Sequence, residues 1–520
     1  MKPARLTRRP GLSRPTRASA AGFTLVELMV ALVAGLVVSM AMVGLSKEAT
    51  NTFHEEARNA AAESALRNGM ERLRADLNRA SFMSTGNILA DDAIHYQTYG
   101  GSILGCTGSA STVVNYAAAP GLKHLAGIHL YQGTGPGTGA SGNSGTTAAT
   151  VMEGANGLYP DMIDIGGNFT NGEEYFVRVV PPSDPNLTGN TACGTQVLWI
   201  QNTTGSAWRL SQAGSAAFTN AFHPGTSTST QYMVRIGDTS SPMHYQYALI
   251  CASNPVYFAP GPPMVAAINI DPSTPLAVSD TGKVASCATP TTWNAGTGQV
   301  RASAVQIVRW DVAAAGSLPA AYGLVNDPNE LVLTRQFVDG KNVTDPSTLE
   351  VVAEYVVDLK FAFSIDPTSP ATWSPIPGAY PTTNANGTVP PNPLIHFPFD
   401  DAANQTWAAD VNAGTGGANG DPTPGPQRIR STRIRLVTRT ALPDRSQATA
   451  NPAALVPSAT GSENFIYRYC TGPNAGWNTT TNSYNPSSSP GVCAAHTPTW
   501  ARARTDVTEV ALPNQRQLFY

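Results

Sequence analysis

An α+β architecture, one long N-terminal helix packed on an antiparallel β-sheet with long loop insertions, follows from three features of this 520-residue chain. Residues 23–45 form an apolar run, and no proline interrupts the chain from there to about Ser81. Farther on, several segments alternate apolar and polar residues, the two-residue period of a half-buried strand. Glycine and proline together number 88 while charged residues make up 13%, a composition of loops and strands rather than helical bundles.

The N-terminal element comes first. As a helix, the 23 residues Phe23–Leu45 span roughly 34 Å at about 1.5 Å per residue, enough for a bilayer core of about 30 Å. The 22 residues before them carry six cations (Lys2, Arg5, Arg8, Arg9, Arg14, Arg17) and no acid. That bias holds this end in the cytoplasm and places everything after Leu45 outside the inner membrane. An ordinary secretory signal has its small-residue cleavage site after the apolar region, whereas Ala18-Ser19-Ala20 precedes it here. A plain uncleaved anchor leaves Glu27, the one ionisable residue of the run, without a purpose. A buried core helix does not account for the basic leader. A carboxylate in an apolar span is costly and marks a functional position when a partner can be named.

The stretch Ala21-Gly22-Phe23-Thr24-Leu25-Val26-Glu27-Leu28, behind its basic leader, resembles the prepilin signature of type IV pilins and type II secretion pseudopilins. The resemblance implies cleavage after Gly22 by prepilin peptidase and methylation of the new amine on Phe23. Glu27 lies one helical turn from that amine. It is expected to pair with it, or with that of a neighbouring subunit, during assembly.

Beyond the membrane the helix is expected to continue. Leu66, Met70, Leu73, Leu77 and Ala80 recur by fours and threes, an apolar stripe one face wide. Arg67, Asn68, Glu71, Arg72, Asn78 and Arg79 fall opposite, and Glu63 and Arg67 are placed for an i,i+4 pair. Gly69 costs such a helix about 1 kcal/mol relative to alanine. Residues 23–81 are thus predicted as one helix about 88 Å long. Its first half meets lipid or other copies, and its second half packs under a β-rich head. The organisation that follows is 1–22 leader, 23–45 transmembrane and assembly segment, 46–82 amphipathic half, and 83–520 head.

The head's strands are predicted at 161–165, Tyr175–Val180, Gln196–Ile200, Tyr232–Ile236, Tyr245–Cys251, 305–312, 330–335, 351–366, 428–439 and 504–514. In the 428–439 strand, Arg430, Thr432, Ile434, Leu436 and Thr438 share one face. Ser431, Arg433, Arg435, Val437 and Arg439 share the other, which the charge pattern assigns to solvent. LRADLNRASF (73–82), DMIDI (161–165), VQIVRWDV (305–312), ELVLTR (330–335), VVAEYVVDLKFAFSID (351–366), RIRSTRIRLVTR (428–439) and RTDVTEVALPN (504–514) resemble, in this order, PilW-type minor pilins and the related J-type pseudopilins. That resemblance implies the pilin-like form of the α+β fold. Residues 132–150, 367–394 and 402–427 are rich in Gly, Pro or Thr and poor in charge, so they read as exposed insertions.

Six cysteines (Cys106, Cys193, Cys251, Cys287, Cys470, Cys493) all follow the span, in an oxidising compartment, and allow up to three disulfides. Fifteen pairings are open. Sequence neighbours (Cys106–Cys193, Cys251–Cys287, Cys470–Cys493) are the preferred set, and the last would clip a surface loop, read first as a stapled loop with no partner and second as an adhesive one. Without the leader's six cations, 26 basic residues face 35 acidic ones, so no nucleic-acid surface is evident. No GxSxG, HExxH, P-loop or GxGxxG stands in a fitting context, no cofactor is called for, and an enzyme is not expected. The eight histidines show no metal spacing, His124 and His129 included. Asp410-Val411-Asn412-Ala413-Gly414 opens like a calcium loop but no Glu closes it.

What the resemblance implies is a minor pilin of the type IV pilus that primes assembly or sits at the tip, in adhesion or motility. Its partners would be prepilin peptidase, other minor and major pilins, the inner-membrane assembly platform and, before assembly, membrane lipid. It would sit in the inner membrane with a cytoplasmic N-terminus and periplasmic head, then in the pilus at the cell surface. The alternatives are a J-type type II secretion pseudopilin and a membrane-anchored adhesin outside any filament.

Overall fold

The computed structural model describes residues 24–88, 91, 97–99, 102–104, 114–115, 120–133, 158, 160–200, 216–238, 244–259, 265–276, 278, 282–284, 298–315, 318, 330–366, 394–408, 425–441, 466–471, 477–478, 483–484 and 497–514. Two compact units divide the chain, residues 1–58 and 59–520, and helix α1 (Leu25–Leu77) contributes to both. In the first unit, every residue from Thr24 to Leu45 is exposed.

The second unit is built on antiparallel strands. Its largest sheet holds eleven: β4 (Ile128–Tyr131), β5 (Met162–Gly167), β6 (Glu174–Val180), β7 (Gln196–Ile200), β8 (Met233–Gly237), β9 (Tyr245–Leu249), β10 (Val256–Ala259), β11 (Val265–Ile270), β12 (Val300–Ala314), β13 (Leu331–Val338) and β14 (Glu350–Glu354). A five-stranded sheet has the order β16-β15-β17-β21-β18, made of β15 (Val356–Ile365), β16 (Ile395–His396), β17 (Ile429–Arg439), β18 (Ile466–Thr471) and β21 (Thr497–Ala511). Two small sheets comprise β1 (Gln97–Tyr99), β2 (Ser102–Leu104) and β3 (Val114–Asn115), and β19 (Trp477–Asn478) with β20 (Ser483–Tyr484). All ten predicted strands are present, some longer than expected; β1 to β4, β10, β11, β16 and β18 to β20 are additions.

β12 is the spine of the large sheet. Val300–Ser303 pair with β6, Arg301–Val305 with β8, Gln306–Trp310 with β5, and Ile307–Ala314 with β13. Most of its side chains are buried on both faces, as a strand with neighbours on both edges requires, and the polar Gln306 and Arg309 among them are hydrogen-bonded. Between β14 and β15 the chain leaves the large sheet for the five-stranded one. Tyr355 makes the turn with φ 58°, so the segment predicted as one strand, 351–366, is two.

The C-terminal turns of α1 lie over both sheets. Leu66, Met70, Leu73, Leu77 and Ala80 are buried, and the six polar residues opposite are exposed, as the periodicity required. A Cβ on Gly69 would lie 3.1 Å from Leu436 in β17 and 3.2 Å from Leu333 in β13. The glycine therefore admits a close helix-to-sheet approach, which offsets its low helix propensity. The Thr438 hydroxyl donates to the Ala62 carbonyl at 3.1 Å.

The helix is shorter than predicted. α1 stops at Leu77, and the Arg79 and Ala80 amides turn inward to the carbonyls of Asp76 and Leu77. Ser81, at φ 62°, then donates its amide to Gly166 at 2.8 Å. A side chain at Gly167 would meet the Arg79 carbonyl at 2.4 Å, so β5 has to end in glycine where this turn docks.

Other expectations are corrected. The face of β17 assigned to solvent is half-covered: Arg435, Val437 and Arg439 are buried, while Ser431 and Arg433 are intermediate. Val357, Val437, Leu158, Tyr467, Ala501 and Ala503 form a small apolar cluster there. The stretch 402–427 opens with helix α2 (Ala402–Ala408) and closes on buried Pro426 and Gln427, so its ends belong to the fold. Trp407 and Ala408 enter the main core, and Asn404 accepts the Phe363 amide at 2.8 Å. Residues 134–150, 367–393 and 409–424 lie outside the described residues.

Cys193 bonds to Cys251, with the Cα atoms 6.0 Å apart. That replaces the expected Cys106–Cys193 and Cys251–Cys287 pairs. Cys251 lies two residues past the end of β9, and its amide bonds to the Asn269 carbonyl of β11 beside β7, which Cys193 precedes. Sheet neighbours, not sequence neighbours, chose the partner. The side chains of Cys106, Cys287, Cys470 and Cys493 lie outside the described residues.

Cys251→Ser is expected to lower stability by about 2–4 kcal/mol, the usual range for losing a native disulfide. Thermal denaturation of the full chain in detergent, with and without reductant, measures this.

Candidate functional site: the N-terminal segment and the buried charges beneath it in sequence

Thr24 and Glu27 close the start of α1. The first helical turn has amide groups without intrahelical acceptors, and a Thr-x-x-Glu spacing satisfies two of them reciprocally. The Glu27 amide donates to Thr24 Oγ1 at 3.3 Å. Glu27 Oε2 accepts from the Thr24 amide at 2.9 Å and from its hydroxyl at 3.0 Å. Glu27 therefore has a partner inside its own helix, which the sequence reading passed over although the capping pattern was present. Gly22 and Phe23 lie outside the described residues.

After this cap comes the exposed apolar surface. Leu25, Val26, Leu28, Met29, Val30, Leu32, Val33 and the large side chains on to Leu45 are each more than half exposed. In water such a surface carries a large hydrophobic cost, so it has to be covered by lipid or protein. α1 is the one helix among the described residues long and apolar enough to cross a membrane.

In the 59–520 unit, the acids and bases of the recognised segments meet one another. Asp76, on the buried face of α1, accepts from Arg335 Nε at 2.7 Å and from Trp310 Nε1 at 3.0 Å. Asp164 of β5 receives both Nε and Nη2 of Arg309, each at 2.7 Å. Asp358 of β15 pairs with Arg435 of β17 at 2.9 Å. Asp161, before β5, pairs with Lys360 at 3.1 Å, and Lys360 also meets Asp400 at 2.7 Å. Burial pushes the Asp161 carboxyl up to about 6, against the pull of Lys360 and the amides of Gly133 and Phe361. Burial likewise raises Asp358, opposed by Arg435 and Lys360. These pairs tie helix to sheet and sheet to sheet.

No catalytic arrangement emerges from the predicted residues. Among the described residues no group of three or more His, Cys, Asp or Glu is disposed to hold a metal ion. His129 is buried in β4 with its ring stacked on Tyr131 at 4.4 Å and on His124 at 5.5 Å. The calcium-like stretch at 410–414 lies outside the described residues.

Residues 17–43 match the prokaryotic N-terminal methylation motif, which spans Gly22, Phe23, the Thr24–Glu27 cap and most of the apolar run. The chain carries a prepilin-type N-terminus. No curated protein and no solved structure matches the chain. The motif supports a prepilin-type pilin or pseudopilin, a structural protein. The long N-terminal helix and the antiparallel sheets agree with an α+β pilin-like fold.

Substitutions at three positions probe the contacts of α1. Thr24→Val removes the acceptor of the Glu27 amide, and faster hydrogen exchange at that amide in detergent micelles is expected, with protection kept in Thr24→Ser. Asp76→Ala leaves Arg335 and Trp310 without their buried partner and is expected to cost about 3–5 kcal/mol. Glu63→Ala, on an exposed pair 4.0 Å long, is expected to cost under about 1 kcal/mol in the same thermal denaturation.

Proposed function

We propose that this protein is a minor pilin of the type IV pilus, cut after Gly22, methylated on Phe23, and acting at the tip or in priming assembly. The observation that carries the reading is the joining of a methylation motif to a fully exposed apolar segment of α1, Leu25 to Leu45, whose one ionisable residue is Glu27. In the membrane the surface from Leu25 to Leu45 is covered by lipid; in a filament, the same surface packs against the helices of other pilins. Glu27 then exchanges its Thr24 contacts for the Phe23 amine of its own or a neighbouring subunit. A charge pair of this kind in an apolar interior is costly to break, because either charge alone is left with neither solvent nor partner.

The size of the 59–520 unit supports a subunit used in few copies. A bulky β-rich unit crowds its neighbours when repeated at every step of a filament, and a tip or priming position avoids that. The Gly22 cleavage site implies prepilin peptidase as a partner, with the inner-membrane platform and other pilins following from filament entry. A J-type pseudopilin uses the same processing and fold in a secretion machine.

Deletion of the gene separates the two machines. Loss of surface pili with secretion intact is expected; lost secretion with normal piliation assigns the chain to a secretion pseudopilus. Glu27→Ala is expected to leave cleavage largely intact while reducing the amount of this subunit in sheared pilus fractions, read by immunoblot. Unchanged incorporation would count against the pairing of Glu27 with the Phe23 amine.

A further inference from the structure

Among the buried ion pairs of the described residues in the 59–520 unit, one differs in chemistry. Asp76, Asp164 and Asp358 face guanidinium groups, which stay protonated and do not become acylated in proteins. Asp161 faces an amine. Lys360 Nζ lies 3.1 Å from Asp161 Oδ1, with the two side chains 3% and 0% exposed. A lysine is a nucleophile once it loses a proton.

The surroundings hold both groups in place. The Gly133 amide donates to Asp161 Oδ1 and the Phe361 amide to Oδ2, each at 3.0 Å. Two amides on one carboxyl group hold it in place beside Nζ and can stabilise charge developing on an oxygen. Asp400 Oδ1 is 2.7 Å from the same Nζ, and its side chain is 55% exposed. Asp400 sits at φ 65°, a backbone conformation that costs a non-glycine residue energy. The turn thus aims a second carboxylate at the buried amine, with its other oxygen 3.7 Å from Arg435 Nη2 and the side chain still half exposed.

We propose that Lys360 and Asp161 condense to an intramolecular amide, with Asp400 relaying the protons. Lys360 passes one ammonium proton to Asp400 and becomes a neutral amine. Its Nζ attacks Cγ of the protonated Asp161 carboxyl, forming the N–C bond and a tetrahedral centre whose oxygens face the Gly133 and Phe361 amides. The C–OH bond then breaks. The hydroxyl leaves as water with a proton from Asp400, and Nζ gives up its second proton to solvent through the same carboxylate. One water is lost, nothing is oxidised or reduced, and no co-reactant is needed.

Burial favours the protonated form of Asp161, whose carboxyl is raised to about 6, and so supplies the electrophile. Burial also disfavours the Lys360 charge, but Asp161, Asp358 and Asp400 outweigh it and hold the ammonium above its ordinary value. A proton acceptor in direct contact is therefore required, and Asp400 fills that place. The product ties β15 of the five-stranded sheet to the residue preceding β5 of the large sheet, a covalent bond between the two sheets.

Intact-mass spectrometry of the full chain in detergent, with disulfides reduced, tests this. The expected mass is one water below that calculated for the chain with the N-terminus it is found to carry, leader and methylation accounted for, with a branched peptide joining residues 161 and 360 after proteolysis. Lys360→Ala and Asp161→Ala are expected to restore the full mass. Asp161→Asn is expected to reach the same product by losing ammonia. Asp400→Asn keeps a residue tolerant of the turn, so it is expected to fold and to remain unlinked. A wild-type chain at full mass, cut by trypsin after Lys360, would overturn the proposal. A fully linked Asp400→Asn chain would overturn the relay.

Discussion

Asp76 sets the terms for the β-rich unit. A carboxylate on the buried face of a helix is costly unless its partners are fixed, and here they are Arg335 on β13 and the indole nitrogen of Trp310 on β12. Satisfying all three groups allows one height and one rotation of α1 over the large sheet. Leu73 and Leu77 are then fully buried on either side of it, and Gly69 comes within contact distance of β13 and β17. The hydrophobic stripe provides attraction, which is non-directional. Asp76 gives it a register.

The same device recurs outward from the helix. Asp164–Arg309 joins β5 to β12, Asp358–Arg435 joins β15 to β17, and Asp161–Lys360 joins the approach to β5 with β15. Adjacent antiparallel strands can slip by two residues without changing which face is apolar. A buried charge displaced from its partner costs several kcal/mol, so each pair penalises that slip. The acids and bases of the family-like segments therefore have a shared physical purpose in this chain: they fix alignment between elements far apart in sequence.

What could be read beforehand was whatever depends on local period. The stripe from Leu66 to Ala80 and the alternating strands follow from 3.6-residue and two-residue repeats, and the structure places them accordingly. What depends on long-range partners could not be read. Asp76 is buried because of residues more than 230 positions away, and Arg435 and Arg439 are covered by parts of the chain that no strand pattern locates. α1 ends at Leu77 because Gly166 accepts the Ser81 amide, although helical composition continues. The Cys193–Cys251 bond follows sheet order, which fifteen possible pairings concealed. The Thr24–Glu27 cap was local and legible, but the membrane argument treated Glu27 only as a charge awaiting an amine.

At the N-terminus one helix has two chemical halves. The apolar half is exposed throughout and the later half is amphipathic, so no single solvent suits α1 from end to end. Processing after Gly22 would turn that incompatibility into an assembly mechanism, by creating an amine one turn from Glu27. The most direct measurement is mass spectrometry of the N-terminal peptide from the chain purified from its native membrane. The account predicts a peptide beginning at methylated Phe23; an intact leader, or an unmethylated terminus at another residue, would contradict it.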